Sequence, residues 1–379
     1  MNGPLQGLKI VEFVGLGPTS FTAMMLADMG ANVIRIDRKG STEKQNPYPA
    51  LGTNFDVMAR SRGRVELDLK CASDKEVAVE IVAHADALLE GYRPGAMERL
   101  GLGPTELLAR NPRLVYTRIT GWGQTGPLAH QAGHDINYIA LSGMLGAMGT
   151  PGKPPFPPLN LVGDFAGGGM LAAFGVLCGI MYAQRTGQGQ IIDAAMLDGA
   201  NLMGAMIYGF RSMGKWSLER GRNWIDGSAP YYGCYECCDG KYVAIGPIEP
   251  QFLATLFEVA EIDPNLFQDI TDIDRWPKLR RRLAKIFRQK NRDEWCTIFE
   301  GTDACVAPVL DVDEAVKHPQ NVARDNFVEI NGVIHPMPSP RFSETPGNVL
   351  TASIDLHELL KSWGLSAQSL NALRNNQAI

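Results

Sequence analysis

The stretch VEFVGLGPTS, residues 11–20, decides how the chain begins to fold. An apolar, strand-like run reaches Gly15-Leu16-Gly17, and apolar residues at helical spacing follow over 19–29 and end at Gly30. A strand, a glycine-containing turn and a helix in this order are typical of the first unit of a nucleotide-binding α/β domain. The stretch therefore raises the question of which phosphate-bearing ligand this turn would serve.

The patterns after this opening continue to alternate. ANVIRID and RLVYTRIT are strand-like, whereas 75–85, 135–148, 164–185 and 191–210 have helical spacing. This alternation predicts an α/β fold with a largely parallel sheet. Beyond residue 221 the sequence pattern changes: it is typical of an antiparallel hairpin, and charged helical segments follow.

Composition excludes several classes of protein. The chain has 379 residues, 45% of them hydrophobic, and a net charge of −5, so a nucleic-acid-binding protein is not expected. The longest apolar run, 170–183, contains glycines and is short for a bilayer, which favours a buried helix and no membrane span. Seven scattered cysteines fit a reducing compartment, and Cys234 and Cys237 have no second pair at zinc-finger distance, so no metal site is expected.

A dinucleotide fingerprint is only partly present. Its third glycine position holds Ser20, and Asp37, the candidate ribose ligand, is followed at once by Arg38. A basic residue there suits a phosphorylated ribose, which both NADP and coenzyme A carry. Basic residues also accumulate at predicted strand ends and loops, as if to bind an anionic ligand: Arg35, Arg38, Arg60, Arg62, Arg64, Lys70 and Arg93.

The segment AGHDINYIALSG, 132–143, is the first candidate for chemistry. His134 immediately precedes an apolar-periodic helix, where the positive end of the helix dipole favours the neutral imidazole. The unpaired N–H groups of the first turn could receive a developing oxyanion. The alternative is that Asp135 only caps the helix and His134 is incidental.

Two further carboxylates are candidates. Asp164 precedes Gly167–Gly169, and three glycines at the start of a helix cost stability, which suggests that backbone or ligand approaches closely. Glu249 precedes Pro250 at a helix start and could orient a histidine. For each, a simple helix cap is the alternative.

These segments together carry a resemblance. LADMGANVIRIDR, VELDLK, RPGAMERLGLGP, AGHDINYIALSG, PLNLVGDFAGGG, RTGQGQIIDAAM, DGSAPYYGCY, IGPIEPQF and GTDACVAPVL are similar to segments of the α-methylacyl-CoA racemases, within the family III CoA-transferase superfamily. The resemblance implies that His134 and Asp164 are the acid/base pair and that Glu249 supports them. It also implies that the phosphate-bearing ligand is coenzyme A, as part of the substrate, with contacts at Arg38, Leu67, Asp68, Leu69, Lys70, Arg93, Gly133, Asp135, Ile136, Asn137 and Tyr138.

The resemblance further implies the architecture. A Rossmann-like large domain would comprise residues 1–200. A linker at 201–224 would lead to a smaller α+β domain at 225–325, and residues 326–379 would form a return linker and the C-terminal part of the large domain. Two chains would interlock as a homodimer with shared active sites, so that Glu249 comes from the partner chain. The chain ends show neither an apolar signal core nor a peroxisomal address, and we expect a cytoplasmic protein.

The implied reaction is interconversion of (R)- and (S)-2-methylacyl-CoA thioesters by 1,1-proton transfer through an enolate, without a metal or redox cofactor. The methionines from Met144 onward could line an adaptable acyl surface, or simply form helix core. The main alternative is a family III CoA-transferase with Asp164 as nucleophile. Transferase relatives generally lack a histidine at the position of His134 and tend to have a glycine-rich loop near GPIEPQF. A catalytically silent CoA-binding protein and an NADP-dependent oxidoreductase are more distant alternatives.

Overall fold

The computed structural model describes residues 3–40, 50, 52–351 and 354–375. The chain divides into two compact units. The first comprises Met1–Ser142, Pro158–Met203 and Ala323–Ile379, and the second comprises Gly143–Pro157 and Gly204–Val322. The strands, in chain order, are β1 (Lys9–Phe13), β2 (Asn32–Arg38), β3 (Gly63–Leu67), β4 (Ala87–Glu90), β5 (Val115–Thr120), β6 (Gln190–Ala195), β7 (Gly233–Glu236), β8 (Tyr242–Ile245), β9 (Val306–Val309), β10 (Phe327–Ile330) and β11 (Val333–Pro336).

Helices connect most of these strands. In chain order they are α1 (Pro18–Asp28), α2 (Ala72–Ala83), α3 (Ala96–Arg99), α4 (Pro104–Arg110), α5 (Asp135–Leu141), α6 (Met144–Ala147), α7 (Leu171–Thr186), α8 (Met196–Met203), α9 (Ala205–Ser212), α10 (Pro250–Val259), α11 (Trp276–Phe287), α12 (Arg292–Phe299), α13 (Val312–Lys317), α14 (Pro319–Ala323), α15 (Leu356–Trp363) and α16 (Ala367–Asn375). A ten-residue π-helix, Leu161–Met170, leads directly into α7.

The first unit is built on a six-stranded parallel sheet in the order β3-β2-β1-β4-β5-β6. This is the order of a doubly wound dinucleotide-binding sheet, in which the chain changes direction between β1 and β4. Successive residues of β1 enter different cores, since Ile10 packs with α1 and α7 and Val11 packs with α2, α15 and α16. A sheet buried on both faces explains why its strands read as apolar runs, and the α/β class predicted from the sequence is confirmed.

The sixth strand corrects the sequence interpretation, which extended a helical pattern over 191–210. Residues Gln190–Ala195 instead pair in parallel with β5, and the helix begins only at Met196. β6 lies at the edge of the sheet and leaves Ile191 half exposed, so it lacks the continuous burial of the inner strands.

The glycines of the π-helix lie where other backbones approach closely, as their cost had suggested. A Cβ on Gly167 would lie 2.9 Å from the amide nitrogen of Ala200 in α8, and one on Gly169 would lie 3.2 Å from the carbonyl oxygen of Pro18 in α1. The hydroxyl of Thr22 in α1 donates to the Gly169 carbonyl oxygen at 3.0 Å. The glycines therefore hold the π-helix directly against α1 and α8.

The π-helix and α7 together form an apolar stretch, Leu161–Thr186. Within the described parts of the chain, it is the one helix long and apolar enough to cross a bilayer by length and composition. Its side chains at Val176, Ile180 and Ala183 belong to the core packed on the sheet. A core helix of an α/β unit has the same composition, so this stretch is only weak support for a membrane span.

The second unit has its own core. Its antiparallel sheet has the order β7-β8-β9, and Tyr235, Val243, Phe287 and Trp295 pack together with α10, α11 and α12 around it. Two segments group with this unit: residues 143–157, which the sequence interpretation counted with the large domain, and residues 204–224, which belong to its predicted linker at 201–224. The division into a large and a small functional domain stays a prediction.

The contact between the π-helix and α8 generates a test of packing. A Cβ on Gly199 would lie 2.0 Å from the carbonyl oxygen of Gly167, and backbone cannot rotate away as a side chain can. We expect Gly199→Ala to lower the free energy of unfolding, measured by urea denaturation, by about 3 kcal/mol. The matched control is Gly209→Ala in α9, where a Cβ meets nothing within 4 Å. It should gain about 0.5–1 kcal/mol, and equal effects of the two variants would contradict the packing described.

Candidate active site

The candidate site lies at the carboxyl edge of the sheet, at the point where the strand order reverses. The turn after β1 and the loop after β4 meet there, because a Cβ on Gly91 would lie 2.5 Å from the hydroxyl oxygen of Thr19 in α1. A crevice at this position is the usual ligand site of open α/β sheets.

Asp164 lies at this edge, on the fourth residue of the π-helix. Its carboxylate lies over the first turn of the chain, since a Cβ on Gly17 would be 3.4 Å from its Oδ2. The Nδ2 of Asn160 donates to the same oxygen at 3.1 Å. Burial raises the pKa of the Asp164 carboxyl, as does the charge of Asp135, while the Asn160 bond and the charge of His134 oppose the rise. The opening turn therefore packs against the carboxylate of Asp164.

His134 is the N-cap residue of α5, and its side chain is exposed. Its backbone N–H donates to the Oδ1 of Asn137 at 3.0 Å, which fixes the entry of the chain into the helix. His134 directly precedes Asp135, whose carboxylate accepts a hydrogen bond from the Asp164 backbone N–H at 2.8 Å, so the two residues lie in one neighbourhood. The structure thus brings together an imidazole and a partly buried carboxylate.

Tyr138 supports the histidine loop from beneath. Its hydroxyl donates to the Gly133 carbonyl oxygen, and its ring packs edge-on against Trp122 at 4.7 Å. Burial raises the pKa of this phenol to about 12, with the Asp164 charge adding to the rise and the Arg93 charge opposing it. The Tyr138 side chain is therefore buried and bonded to the backbone at Gly133, and its contact with coenzyme A stays a prediction.

Asp135 joins α5 to the π-helix. Its Oδ2 accepts hydrogen bonds from the backbone N–H of Gly163 at 2.6 Å and of Asp164 at 2.8 Å. The side chain is buried and does not cap its own helix. Asp164 lies inside the π-helix, so the cap interpretation is wrong for both aspartates.

Glu249 belongs to the second unit. It occupies the N-cap position of α10, ahead of Pro250, and is exposed, but its carboxylate makes no capping bond. A supporting role for Glu249 stays a prediction.

The predicted ligand contacts fall into two groups. Arg38, Lys70 and Arg93 are exposed at the carboxyl edge: Arg38 is the last residue of β2, and the other two follow β3 and β4. Asp68, Ile136 and Asn137 are also exposed, and Leu69 and Gly133 are half-buried. The side chain of Leu67 belongs to the core and its carbonyl oxygen accepts from the Lys39 N–H at 3.1 Å, and its contact with coenzyme A stays a prediction.

Four other arginines of the predicted anion-binding group have internal carboxylate partners. Arg60 pairs with buried Asp28 at 2.6 Å, and Arg62 pairs with Glu12 in the core. Arg35 and Arg64 both bind Asp37. These pairs overturn the interpretation of the four arginines as phosphate ligands, and they leave no free acid at Asp37 for a ribose.

Another buried carboxylate supports the Arg93 loop. The Oε2 of Glu90 accepts the Tyr92 N–H at 2.7 Å, and its Oε1 accepts from Arg118 Nε at 3.0 Å. Burial raises the pKa of Glu90 to about 7, against the opposing effects of these two bonds. The loop that presents Arg93 is therefore anchored through Glu90. No group of three His, Cys, Asp or Glu that could hold a metal ion occurs among the residues described.

The sequence interpretation missed Asn160 and the contact of Gly17 with Asp164. Asn160 precedes Asp164 by four residues, a helical spacing that could have indicated their bond. The contact with Gly17 joins segments far apart in sequence and left no local signal. The site combines an imidazole, a half-buried carboxylate and helix N–H donors, with cationic side chains along the same edge. Such groups can transfer a proton on an anionic ligand.

The fold and site define a doubly wound α/β protein with a histidine and an aspartate at its switch point. Residues 5–353 match the family described as CoA-transferase family III, and the chain belongs to that family, which confirms the resemblance found in the motifs. It is 40% identical to the α-methylacyl-CoA racemase of Mus musculus, over 99% of this chain and 97% of the relative. It is 31% identical to the acetyl-CoA:oxalate CoA-transferase of Acetobacter aceti, over 88% of each.

The fold also has a counterpart among solved structures. A CaiB/BaiF family protein from Brucella suis superposes with a TM-score of 0.80, covering 94% of this chain and 98% of that one at 23% identity. At this identity the likeness shows the fold, which the two proteins share over nearly their full lengths.

The buried ion pairs generate a prediction that separates structure from binding. Arg60→Met removes the cation from a carboxylate, Asp28, that remains buried. We expect the free energy of unfolding in urea to fall by about 3–5 kcal/mol. Arg38→Met, at an exposed position, should change it by less than about 0.5 kcal/mol. A stable Arg60→Met protein would show that Arg60 is not a structural residue.

Proposed function

We propose that the protein is an α-methylacyl-CoA racemase, which interconverts (R)- and (S)-2-methylacyl-CoA thioesters. The observation that carries the proposal is that His134 and Asp164 are brought together through Asp135, in a chain 40% identical to a protein of that name. Coenzyme A enters as part of the substrate, and the reaction requires neither a metal nor a redox cofactor.

The proposed chemistry is a 1,1-proton transfer. One group of the pair removes the Cα proton, and the electron pair moves onto the thioester oxygen to form a planar enolate. The other group, on the opposite face, donates a proton to Cα, so that configuration inverts and the enzyme is left with its protons exchanged between the two groups. Each such positioned group contributes about 10²–10⁴-fold.

The enolate oxygen requires hydrogen-bond donors. We assign this role to the main-chain N–H of Asp135, the first residue of α5, because the first N–H groups of a helix have no carbonyl partner one turn earlier. One donor of this kind is worth about 3 kcal/mol in the transition state.

The environment of Asp164 suits both of its proposed roles. Its raised pKa makes the carboxylic acid easier to form than for an exposed aspartate, so the group can donate in one direction and accept in the other. Arg38, Lys70 and Arg93 would bind the phosphates of coenzyme A. We also propose a homodimer in which Glu249 of one chain serves the other chain's site. Exposed apolar side chains on α7, such as Phe174 and Met181, are consistent with an interface, and a cytoplasmic location stays a prediction.

The second candidate is a CoA-transferase, favoured by the family to which the chain belongs. There Asp164 would attack the thioester carbonyl, release coenzyme A as thiolate and leave an acyl–aspartyl anhydride. A histidine beside the carboxylate has no part in that chemistry, whereas racemisation needs a second proton carrier. His134 therefore favours the racemase.

The deciding experiment is proton exchange in deuterated water. The purified protein is incubated with (S)-2-methylacyl-CoA and no acceptor acid, Cα–H is followed by NMR, and the enantiomer ratio by chiral analysis. We expect deuterium at Cα and a ratio that moves toward parity, while His134→Ala and Asp164→Ala each lose racemisation by at least about 10²-fold. Thioester transfer to an added carboxylic acid, without exchange, would instead identify Asp164 as a nucleophile.

The hydrogen bond from Asn160 gives a prediction for pH dependence. The bond lowers the pKa of Asp164, so Asn160→Ala should raise it further. Because Asp164 acts as a base only when ionised, the acid limb of kcat should move to higher pH for the enantiomer whose proton Asp164 removes. Asn111→Ala, which removes bonds to backbone carbonyls at 2.7 and 3.4 Å, is the control and should leave the limb in place. A limb that moves to lower pH would contradict the proposed role of the bond.

A further inference from the structure

The side chain of Asp135 makes backbone hydrogen bonds that its predicted role as a coenzyme A contact does not explain. One oxygen of its buried carboxylate accepts the N–H groups of two consecutive residues, Gly163 at 2.6 Å and Asp164 at 2.8 Å. We propose that the Asp135 side chain is the positioning residue for Asp164, holding the backbone of that acid/base group in register with the neighbouring His134. This inference rests on the proposed racemase reaction.

The fit around the carboxylate is tight. A Cβ on Gly163 would lie 2.6 Å from Oδ2 and 2.9 Å from Cγ of Asp135, so only glycine allows the carboxylate to reach both N–H groups. Asp135 is 5% exposed, and its other oxygen, Oδ1, has no hydrogen-bond partner among the described residues. Burying a carboxylate with one unpaired oxygen is costly, and this cost is difficult to explain unless the position of the π-helix backbone matters.

Asp135 also connects the parts of the site through the chain itself. Asp135 follows His134 directly, and its own N–H is a proposed enolate donor. Its carboxylate accepts hydrogen bonds from the segment that carries Asp164. The distance between the two proton carriers is therefore set through one residue. Loss of the two hydrogen bonds to the Asp135 carboxylate should displace Asp164 more than His134, because the backbone N–H of His134 has a separate bond to Asn137.

The test measures exchange of each enantiomer separately in deuterated water. Asp135→Ala removes the two hydrogen bonds to the π-helix backbone. We expect the rate of Cα proton exchange to fall by at least about 10²-fold for the enantiomer whose proton Asp164 removes. The other enantiomer should still exchange, without inversion, within about tenfold of the wild-type rate, because His134 can remove and return a proton on its own face. Asp135→Asn keeps an oxygen that can accept both N–H groups and should recover most of the lost exchange.

Two further variants guard against a trivial loss of structure. Gly163→Ala should reproduce the one-sided loss, because its Cβ displaces the Asp135 carboxylate from the opposite direction. Asp86→Ala removes a carboxylate bond to the Lys9 N–H, 2.9 Å long, at the amino edge of the same sheet, and should leave the ratio of the two exchange rates unchanged.

Equal loss of both exchange rates in a folded Asp135→Ala protein, or no loss at all, would overturn the positioning role. These outcomes require a wild-type protein that exchanges. Failure of the wild-type protein to exchange either enantiomer would contradict the proposed function itself, so the two failures are distinguishable.

Discussion

The parallel pairing of β1 with both β2 and β4 is the constraint on which the rest of the structure depends. The chain runs outward in opposite directions from these two pairs, and the carboxyl edge where the strand order reverses is the usual ligand site of an open α/β sheet. The turn at Gly17 and the loop beginning at Gly91 meet at this point. The groups to which we assign the chemistry, His134 and Asp164, are added to the edge by the chain that follows β5, so the sheet determines where the site lies and the later helices determine what it contains.

Asp164 can approach this edge because the π-helix that carries it has glycines, which lack side chains, where it contacts other helices. The π-helix that carries it lies against α1 and α8 through Gly167, Gly168 and Gly169, each of which would clash if it had a Cβ. Glycine weakens a helix on its own, so the contact with two neighbouring helices has to compensate. π-helical turns occur often at functional sites, and here the turn brings a carboxylate next to a helix N-terminus that would be out of reach of a bulkier segment.

The sequence predicted those features that local pattern determines. The strand–turn–helix opening and the positions of His134 and Asp164 at helix starts were visible because periodicity and glycine are local signals. β6 was missed because the pattern around Ile191 fits a helix as well as an edge strand, and pairing with β5 decides between them. The arginines were misread for the same reason: residue type shows a charge, but the partner of Arg60, Asp28, lies 32 residues earlier in the chain.

The two aspartates show why environment, rather than residue type, assigns a role. Asp135 accepts two backbone N–H groups on one oxygen, and these bonds fix the group in place. Asp164 accepts one side-chain bond from Asn160 and lies near the charge of Asp135, which disfavours a second negative charge. The carboxylate with more donors is therefore suited to hold the structure, and the one with fewer is suited to exchange a proton. In the proposed reaction, the exposed His134 is the second proton carrier that inversion at carbon requires.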